Sequence, residues 1–320
     1  MALFYLKHPI IKALVYKSTG SWYTVKDEQG KFHNARIKGV FKIEGITSTN
    51  PIAVGDEVEI EIENAHDTTA VITQILPRRN YINRQSPRVK YQQHIIAANL
   101  DQSILIATLK DPRTSTGFID RFLVVNEMYH VPAIIVFNKL DIYRPKEMEQ
   151  LTKIKDVYEP LGYPVYEVSV QETIGVNALK SVLENKTTLI SGHSGVGKSS
   201  LINILLPDEN IKTQAVSGWS GKGMHTTTFA TMYDVAGGGK LIDTPGIREL
   251  AITGLEKEEL SHYFPEMRSV LHHCQYNNCI HINEPKCAVK QAVVDGLINE
   301  NRYVSYVNIL DSLNENKPGY

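Results

Sequence analysis

The stretch GHSGVGKS, Gly192 to Ser199, limits what this chain can fold into more than any other part of it. It fits G-x-x-x-x-G-K-[S/T], a pattern that chance supplies in about one chain in a hundred of this length. A β-type run, TTLIS, precedes it and a helical run, Lys198 to Leu206, follows, which is the setting of a phosphate loop. Glycines let successive backbone N–H groups converge on phosphate oxygens, and the helix N-terminus adds its partial positive charge. Gly192, His193, Ser194, Gly195, Val196, Gly197, Lys198, Ser199 and Ser200 are therefore the expected phosphate-binding residues. Lys198 is expected to reach the β- and γ-phosphates, and the Ser199 hydroxyl to ligate Mg²⁺.

A second motif comes earlier in the chain. NKLD, Asn138 to Asp141, follows the apolar strand AIIVF. A carboxylate at Asp141 can accept two hydrogen bonds from guanine, from N1–H and the 2-amino group. Adenine lacks that donor pair, so the motif selects GTP over ATP. Asn138 is expected to brace the loop, and the Lys139 stem to lie along the base. Downstream, LIDTPG supplies Asp243, a carboxylate for Mg²⁺ through water, and Gly246, whose amide could sense the γ-phosphate. D-x-x-G arises by chance about once in a chain of this size, so its weight comes from its position after an apolar strand.

Ordinary GTPases read phosphate loop, switch, D-x-x-G, N-K-x-D and then a Ser-containing base loop. This chain reads NKLD, a candidate base loop VSVQETIG with Ser169, the phosphate loop, HTTT and then D-x-x-G. The cyclic order is the same but cut elsewhere, a circular permutation. A parallel sheet tolerates such a cut where the old termini lie close together.

Around this core the composition falls into zones. From about Ile10 to Leu76 short strand-like runs alternate with turn signals; DEVEIEIE, Asp56 to Glu63, has period two. So many strands in so short a stretch imply a small closed barrel, either OB-fold or SH3-like. RRNYINRQSPRVK, Arg78 to Lys90, carries five basic and no acidic residues, and reads either as a solvated linker or as a phosphate-contacting one. From about Gln93 to Gly254 short apolar strands alternate with helical stretches, the signature of an α/β domain with a mostly parallel sheet. The expected domains are a β-barrel over residues 1–80, a permuted GTPase domain over 81–262 and a metal-binding helical domain over 263–320.

The three cysteines of the chain fall in one window, CQYNNCIHINEPKC. Cys274, Cys279, His281 and Cys287 form a tetrahedral set suited to one structural Zn²⁺, with His272 and His273 as alternative imidazoles. An Fe–S cluster would call for a fourth thiolate. The net charge of −1 gives no global field for nucleic acid, so such a partner would rely on local patches. Apolar runs fall well short of the ~20 residues that span a bilayer, and the N-terminus lacks signal-peptide character, so a cytoplasmic protein is expected.

Together these features resemble the RsgA (YjeQ/YloQ) family of ribosome small subunit-dependent GTPases, and the likeness runs over nearly the whole chain. It is carried by NPIAVGDEVEI, ANLDQ, GFIDRFL, NKLD, GHSGVGKSSL, GKGMHTTT, LIDTPGIRE and the cysteine cluster. The resemblance implies an OB-fold barrel, GTP hydrolysis stimulated by the small ribosomal subunit, and a role late in that subunit's assembly; the expected partners are GTP or GDP and the small subunit with its rRNA, and the protein is expected to be a monomer. It makes Thr227 the switch residue that meets Mg²⁺ beside GTP. It also makes His225 the candidate to position water, since Ile247 stands where many GTPases carry Gln. Departures from the family pattern are Met224 ahead of the histidine, Val170 after Ser169 and a slightly longer N-terminus. Two other classes compete: a nucleotide-gated RNA-binding module with little turnover, which intact Lys198, Ser199 and Asp243 disfavour, and a P-loop ATPase or kinase, which NKLD disfavours.

Overall fold

The structure, a computed structural model, describes residues 10–37, 51–64, 68–85, 93–206, 230–244, 252 and 254–315. Contacts divide the chain into two compact units. One holds residues 1–102, 180–191 and 205–247, the other 103–179, 192–204 and 248–320.

In the first unit, β1 (Ile10–Ser18), β2 (Tyr23–Asp27), β3 (Phe32–Ile37), β4 (Glu57–Asn64) and β5 (Thr69–Ile75) form a barrel. β1 pairs antiparallel with β2, β2 with β3, and β4 with both β5 and β1. The remaining contact, β3 with β5, is parallel. This circuit closes the sheet in the Greek-key order of an OB-fold and decides against the SH3-like alternative. Period two in β4 puts Val58 and Ile60 inside, against Val15, Val25 and Ile72, with Glu57, Glu59 and Glu61 facing away from that core.

Over its first half the basic stretch is tied to internal carboxylates. Asp56 is fully buried, and the Arg78 guanidinium reaches both its oxygens at 2.6 Å while donating to the Pro51 carbonyl at 2.7 Å. Arg79 donates to Asp101 at 2.9 Å and to the Asn99 carbonyl at 3.0 Å. Internal carboxylates thus engage both arginines, Arg78 in the interior and Arg79 at the surface. The chain then runs as β6 (Tyr81–Gln85), antiparallel to β7 (Gln93–Ala98). Gly55, at φ +90°, lies where a Cβ would sit 2.2 Å from the Ala98 carbonyl oxygen, so only glycine fits that approach.

Then come β8 (Gln102–Ala107), α1 (Thr116–Met128), β9 (Ala133–Phe137), α2 (Pro145–Tyr158), β10 (Val165–Glu167), α3 (Val176–Leu183), β11 (Thr187–Gly192), α4 (Lys198–Leu205), β12 (Thr231–Val235) and β13 (Gly239–Asp243). β8, β9 and β10 pair in parallel. All five residues of β9 are buried, as expected of a parallel strand covered on both faces. β11 and β13 are parallel in the first unit, and β12 joins β13 antiparallel. Neither α3 nor β12 was evident in the sequence.

The chain ends in α5 (Pro265–Arg268), α6 (Ala288–Val294) and α7 (Glu300–Glu315). α7 is fastened to α1 by Arg302, only 1% exposed. Its Nη1 donates to Asp120 at 2.6 Å and its Nε to Glu266 at 2.7 Å, while Tyr158 of α2 donates to the same Asp120 oxygen at 2.6 Å. Phe264 lies 4.7 Å beneath the guanidinium. Burial works against the Arg302 charge, but the two carboxylates hold its pKa above the ordinary value. Arg302→Ala would strand Asp120 and Glu266 in the interior. We expect it to destabilise the second unit by about 3–5 kcal/mol, seen as a lowered urea midpoint of the far-UV dichroism; an unchanged midpoint would contradict this assignment.

Candidate nucleotide-binding site and metal centre

In the second unit the sequence-predicted residues come together at the C-terminal ends of parallel strands, where such sheets place their ligands. Asn138 follows β9 and is 1% exposed. Its Nδ2 donates to the Val196 carbonyl of the phosphate loop at 2.8 Å. Its Oδ1 accepts from the Val170 amide of the base loop at 3.3 Å. One side-chain amide therefore joins the base motif, the base loop and the phosphate loop.

Asp141 lies exposed on a short 3-10 turn, Leu140–Ile142, and accepts from the Ser169 hydroxyl at 2.5 Å. Ser169 is itself fully buried and accepts from the Glu172 amide at 3.1 Å. Each carboxylate oxygen has two acceptor directions, so the Ser169 bond fixes Asp141 and leaves capacity for a base. Lys139 adopts the left-handed conformation, φ 67°, and its ammonium donates to the Asp111 carbonyl.

The phosphate loop runs from the end of β11 into α4, whose first helical bond joins the Leu201 amide to the Gly197 carbonyl at 2.9 Å. Val196 is fully buried, whereas Ser194, Gly195 and Ser200 are exposed and Lys198 and Ser199 half-buried. His193 stacks on Phe118 of α1 with centroids 3.7 Å apart, and burial lowers its pKa. Gly197 has φ +89°, and a Cβ there would sit 2.3 Å from Asn138 Nδ2. That glycine is needed both for backbone freedom and for the Asn138 brace.

Asp243 belongs to the first unit. It ends β13 in register with Ile190, shortly before the phosphate loop in sequence, and Thr244 donates to the Ile190 carbonyl at 3.3 Å. His225, Thr227 and Gly246 lie outside the described residues, as do Met224 and Ile247.

Sequence reasoning missed the loop between β8 and α1. The Thr108 amide donates to the Thr114 hydroxyl at 3.1 Å, and the Thr108 hydroxyl donates to the Pro112 carbonyl. Gly195 of the phosphate loop sits close enough to Pro112 that a Cβ would lie 3.4 Å from its ring. It also missed Tyr143, which donates to the Asn138 carbonyl at 2.8 Å and accepts from the Leu109 amide at 2.8 Å. The one available signal was position: the loop leaves the C-terminal end of a strand adjoining the NKLD strand.

In the C-terminal region Cys274, Cys279, His281 and Cys287 offer ligand atoms that all lie within 4.8 Å of one another. His281 Nδ1 is 3.7 Å from the Cys274 sulfur and 3.3 Å from the Cys287 sulfur. A tetrahedron with ~2.3 Å metal–sulfur bonds has edges of about 3.7 Å, so the group fits a bound metal ion. His272 and His273 are exposed and stack on each other at 3.8 Å, outside the cluster. Burial raises the Cys279 thiol to about 12 and pushes Cys287 up, while it lowers His281. Without a cation the thiols stay protonated; a divalent metal would displace those protons. The loop is held from α7, where Tyr303 donates to the His281 carbonyl at 2.6 Å and Tyr306 to the Ile280 carbonyl at 2.8 Å. Glu284 closes it, accepting from the Ile280 and Ile282 amides at 2.9 Å each.

No helix among the described residues is long and apolar enough to cross a membrane. The RsgA GTPase family model matches residues 75–253, and the RsgA N-terminal domain model matches residues 12–72. The chain is 50% identical to the small ribosomal subunit biogenesis GTPase RsgA 2 of Bacteroides thetaiotaomicron, over 96% of this chain and 98% of that one. It is 51% identical to the small ribosomal subunit biogenesis GTPase RsgA of Cytophaga hutchinsonii, over 94% and 98% of the two chains. Among solved structures, YjeQ from Thermotoga maritima superposes with a TM-score of 0.77 at 33% identity, covering 95% of this chain and 99% of that one. The circularly permuted GTPase YloQ superposes at 0.74 with 30% identity over the whole of both chains.

Gly197→Ala would drive a methyl group into the Asn138 brace and strain the backbone. We expect GDP binding about tenfold weaker or worse, measured by titration calorimetry; an unchanged affinity would contradict the brace.

Proposed function

The chain belongs to the RsgA GTPase family, and from that premise we propose that it hydrolyses GTP on the maturing small ribosomal subunit and leaves the particle when hydrolysis is complete. The observation that carries this reading is the pair of bonds from Asn138 to Val196 and from Ser169 to Asp141. They tie guanine recognition to phosphate binding in the permuted order. In this proposal residues 81–262 hold the nucleotide, and residues 1–80 and 263–320 bind the subunit and its rRNA. The protein acts as a cytoplasmic monomer, since its partner is cytoplasmic and no step requires a second copy.

The phosphates rest on the amides of Gly192 to Ser200, with Lys198 reaching the β- and γ-oxygens. Asp141 reads the guanine edge, with Lys139 along the base. Ser199 and Thr227 hold Mg²⁺, with Asp243 acting through water and the Gly246 amide beside the γ-phosphate. Mg²⁺ bound there supplies positive charge to the phosphate oxygens. Ile247 carries no polar group to orient the attacking water, so that task falls to His225. Hydrolysis by the protein alone is accordingly slow, and the subunit sets the switch residues in place.

The test is GTP turnover with and without small subunits, with large subunits and ATP as controls. We expect stimulation by small subunits alone and none with ATP; equal rates under every condition would overturn the choice of partner. His225→Ala should bind GTP normally and lose the stimulated rate, and full activity in that variant would remove His225 from its role.

Three thiolates and an imidazole are the ordinary donor set of structural Zn²⁺, and the absence of a fourth thiolate disfavours an Fe–S cluster. The ion is one Zn²⁺ per chain, fixing a lobe with a small core of its own. Cys279→Ser should lower bound zinc from one per chain toward none in elemental analysis and reduce the stability of the lobe; full zinc occupancy would exclude Cys279 as a ligand.

A further inference from the structure

The turn that carries Asp141 is closed by a side chain outside the NKLD motif. Asn138 leads into the turn and Tyr143 leaves it, with the Tyr143 amide donating to the Leu140 carbonyl at 3.0 Å. The Tyr143 hydroxyl reaches back across the turn to the Asn138 carbonyl at 2.8 Å. The same oxygen accepts from the Leu109 amide at 2.8 Å, so the two ends of the turn are fastened to the loop after β8. That loop is itself closed, with the Thr114 amide donating to the Thr108 carbonyl at 2.7 Å, and its Asp111 carbonyl takes the Lys139 ammonium. Thr108 and Thr114 are buried, so the loop offers a fixed backbone rather than a pliable one.

We propose that Tyr143 is a positioning residue for guanine selectivity, its hydroxyl locking the Asp141 turn to the 108–114 loop. The inference rests on the reading of Asp141 as the guanine-recognising carboxylate. The physical basis is the narrow geometric tolerance of two parallel hydrogen bonds from N1–H and the 2-amino group. A carboxylate displaced by half an ångström or rotated by some twenty degrees keeps one bond and loses the other. Ser169 fixes one Asp141 oxygen from the side, but the direction of the turn is set by its ends. Removing the hydroxyl also leaves the Leu109 N–H and one acceptor direction of the Asn138 carbonyl without that partner, which favours a rearranged turn.

The decisive quantity is the ratio of affinities for GDP and inosine diphosphate, which lacks the 2-amino group. The wild type should prefer GDP by about tenfold or more, the worth of one hydrogen bond to a charged acceptor. Tyr143→Phe keeps the aromatic ring, and should bring this ratio close to one while pyrophosphate binding stays within about twofold. A role in stability alone would lower the melting temperature and leave the ratio where it was, and that result overturns the proposal. A wild type that does not distinguish the two nucleotides would instead refute the guanine-site reading on which the proposal stands.

A second measurement needs no variant. Linkage requires that a bond favouring base binding be tightened by base binding. Hydrogen exchange at the Leu109 amide of the wild type should therefore slow with GDP and not with pyrophosphate. Equal protection with both ligands overturns the proposal even if Tyr143→Phe fails to fold.

Discussion

The candidate nucleotide site is organised around the amide of Asn138. It is a buried group with a donor and an acceptor, and leaving either unmet inside the protein would cost about 1–3 kcal/mol. Both are met by backbone groups from different segments, the Val196 carbonyl and the Val170 amide. The base motif, base loop and phosphate loop are thereby set relative to one another before any ligand arrives. Preorganisation of this kind matters because binding energy spent on ordering loops is lost to affinity. It also explains why cutting and rejoining the chain elsewhere is harmless. The site depends on which strand ends adjoin, and a circular permutation keeps those neighbours.

Much of this was legible from local pattern. GHSGVGKS and NKLD are short, chemically specific and placed between a buried strand and a helix or turn. The alternation in β4 and the unbroken apolar run of β9 likewise reflect how many faces of each strand are covered. The clustered cysteines needed only their spacing to suggest a metal, and His281 rather than His272 or His273 joins them.

What stayed hidden depends on contacts distant in sequence. Arg78 looks like any residue of a basic stretch until Asp56 is found buried beneath it. Arg302 sits in a polar helical segment, yet folding brings it against Asp120, an aspartate that the helical pattern of α1 would place in solvent. Tyr143 and Leu109 lie on separate loops, and nothing in either stretch announces the other. The OB-fold and SH3-like readings of the barrel differ only in strand pairing, which the parallel contact of β3 with β5 decides.

The buried Arg302 also bears on how the C-terminal lobe can act. Just after it along α7, Tyr303 and Tyr306 hold the backbone of the metal loop. On its own side chain it grips Asp120 of α1, and Phe118 of the same helix stacks on His193 of the phosphate loop. A charged group with two carboxylate partners and the Phe264 ring 4.7 Å away has little freedom to slide. Any displacement would expose unpaired charge to the interior at a cost of several kcal/mol. The metal loop is therefore carried rigidly by α7 on α1 rather than hanging from the preceding chain. The lobe is thereby held at a fixed orientation to α1, the helix whose Phe118 stacks on His193.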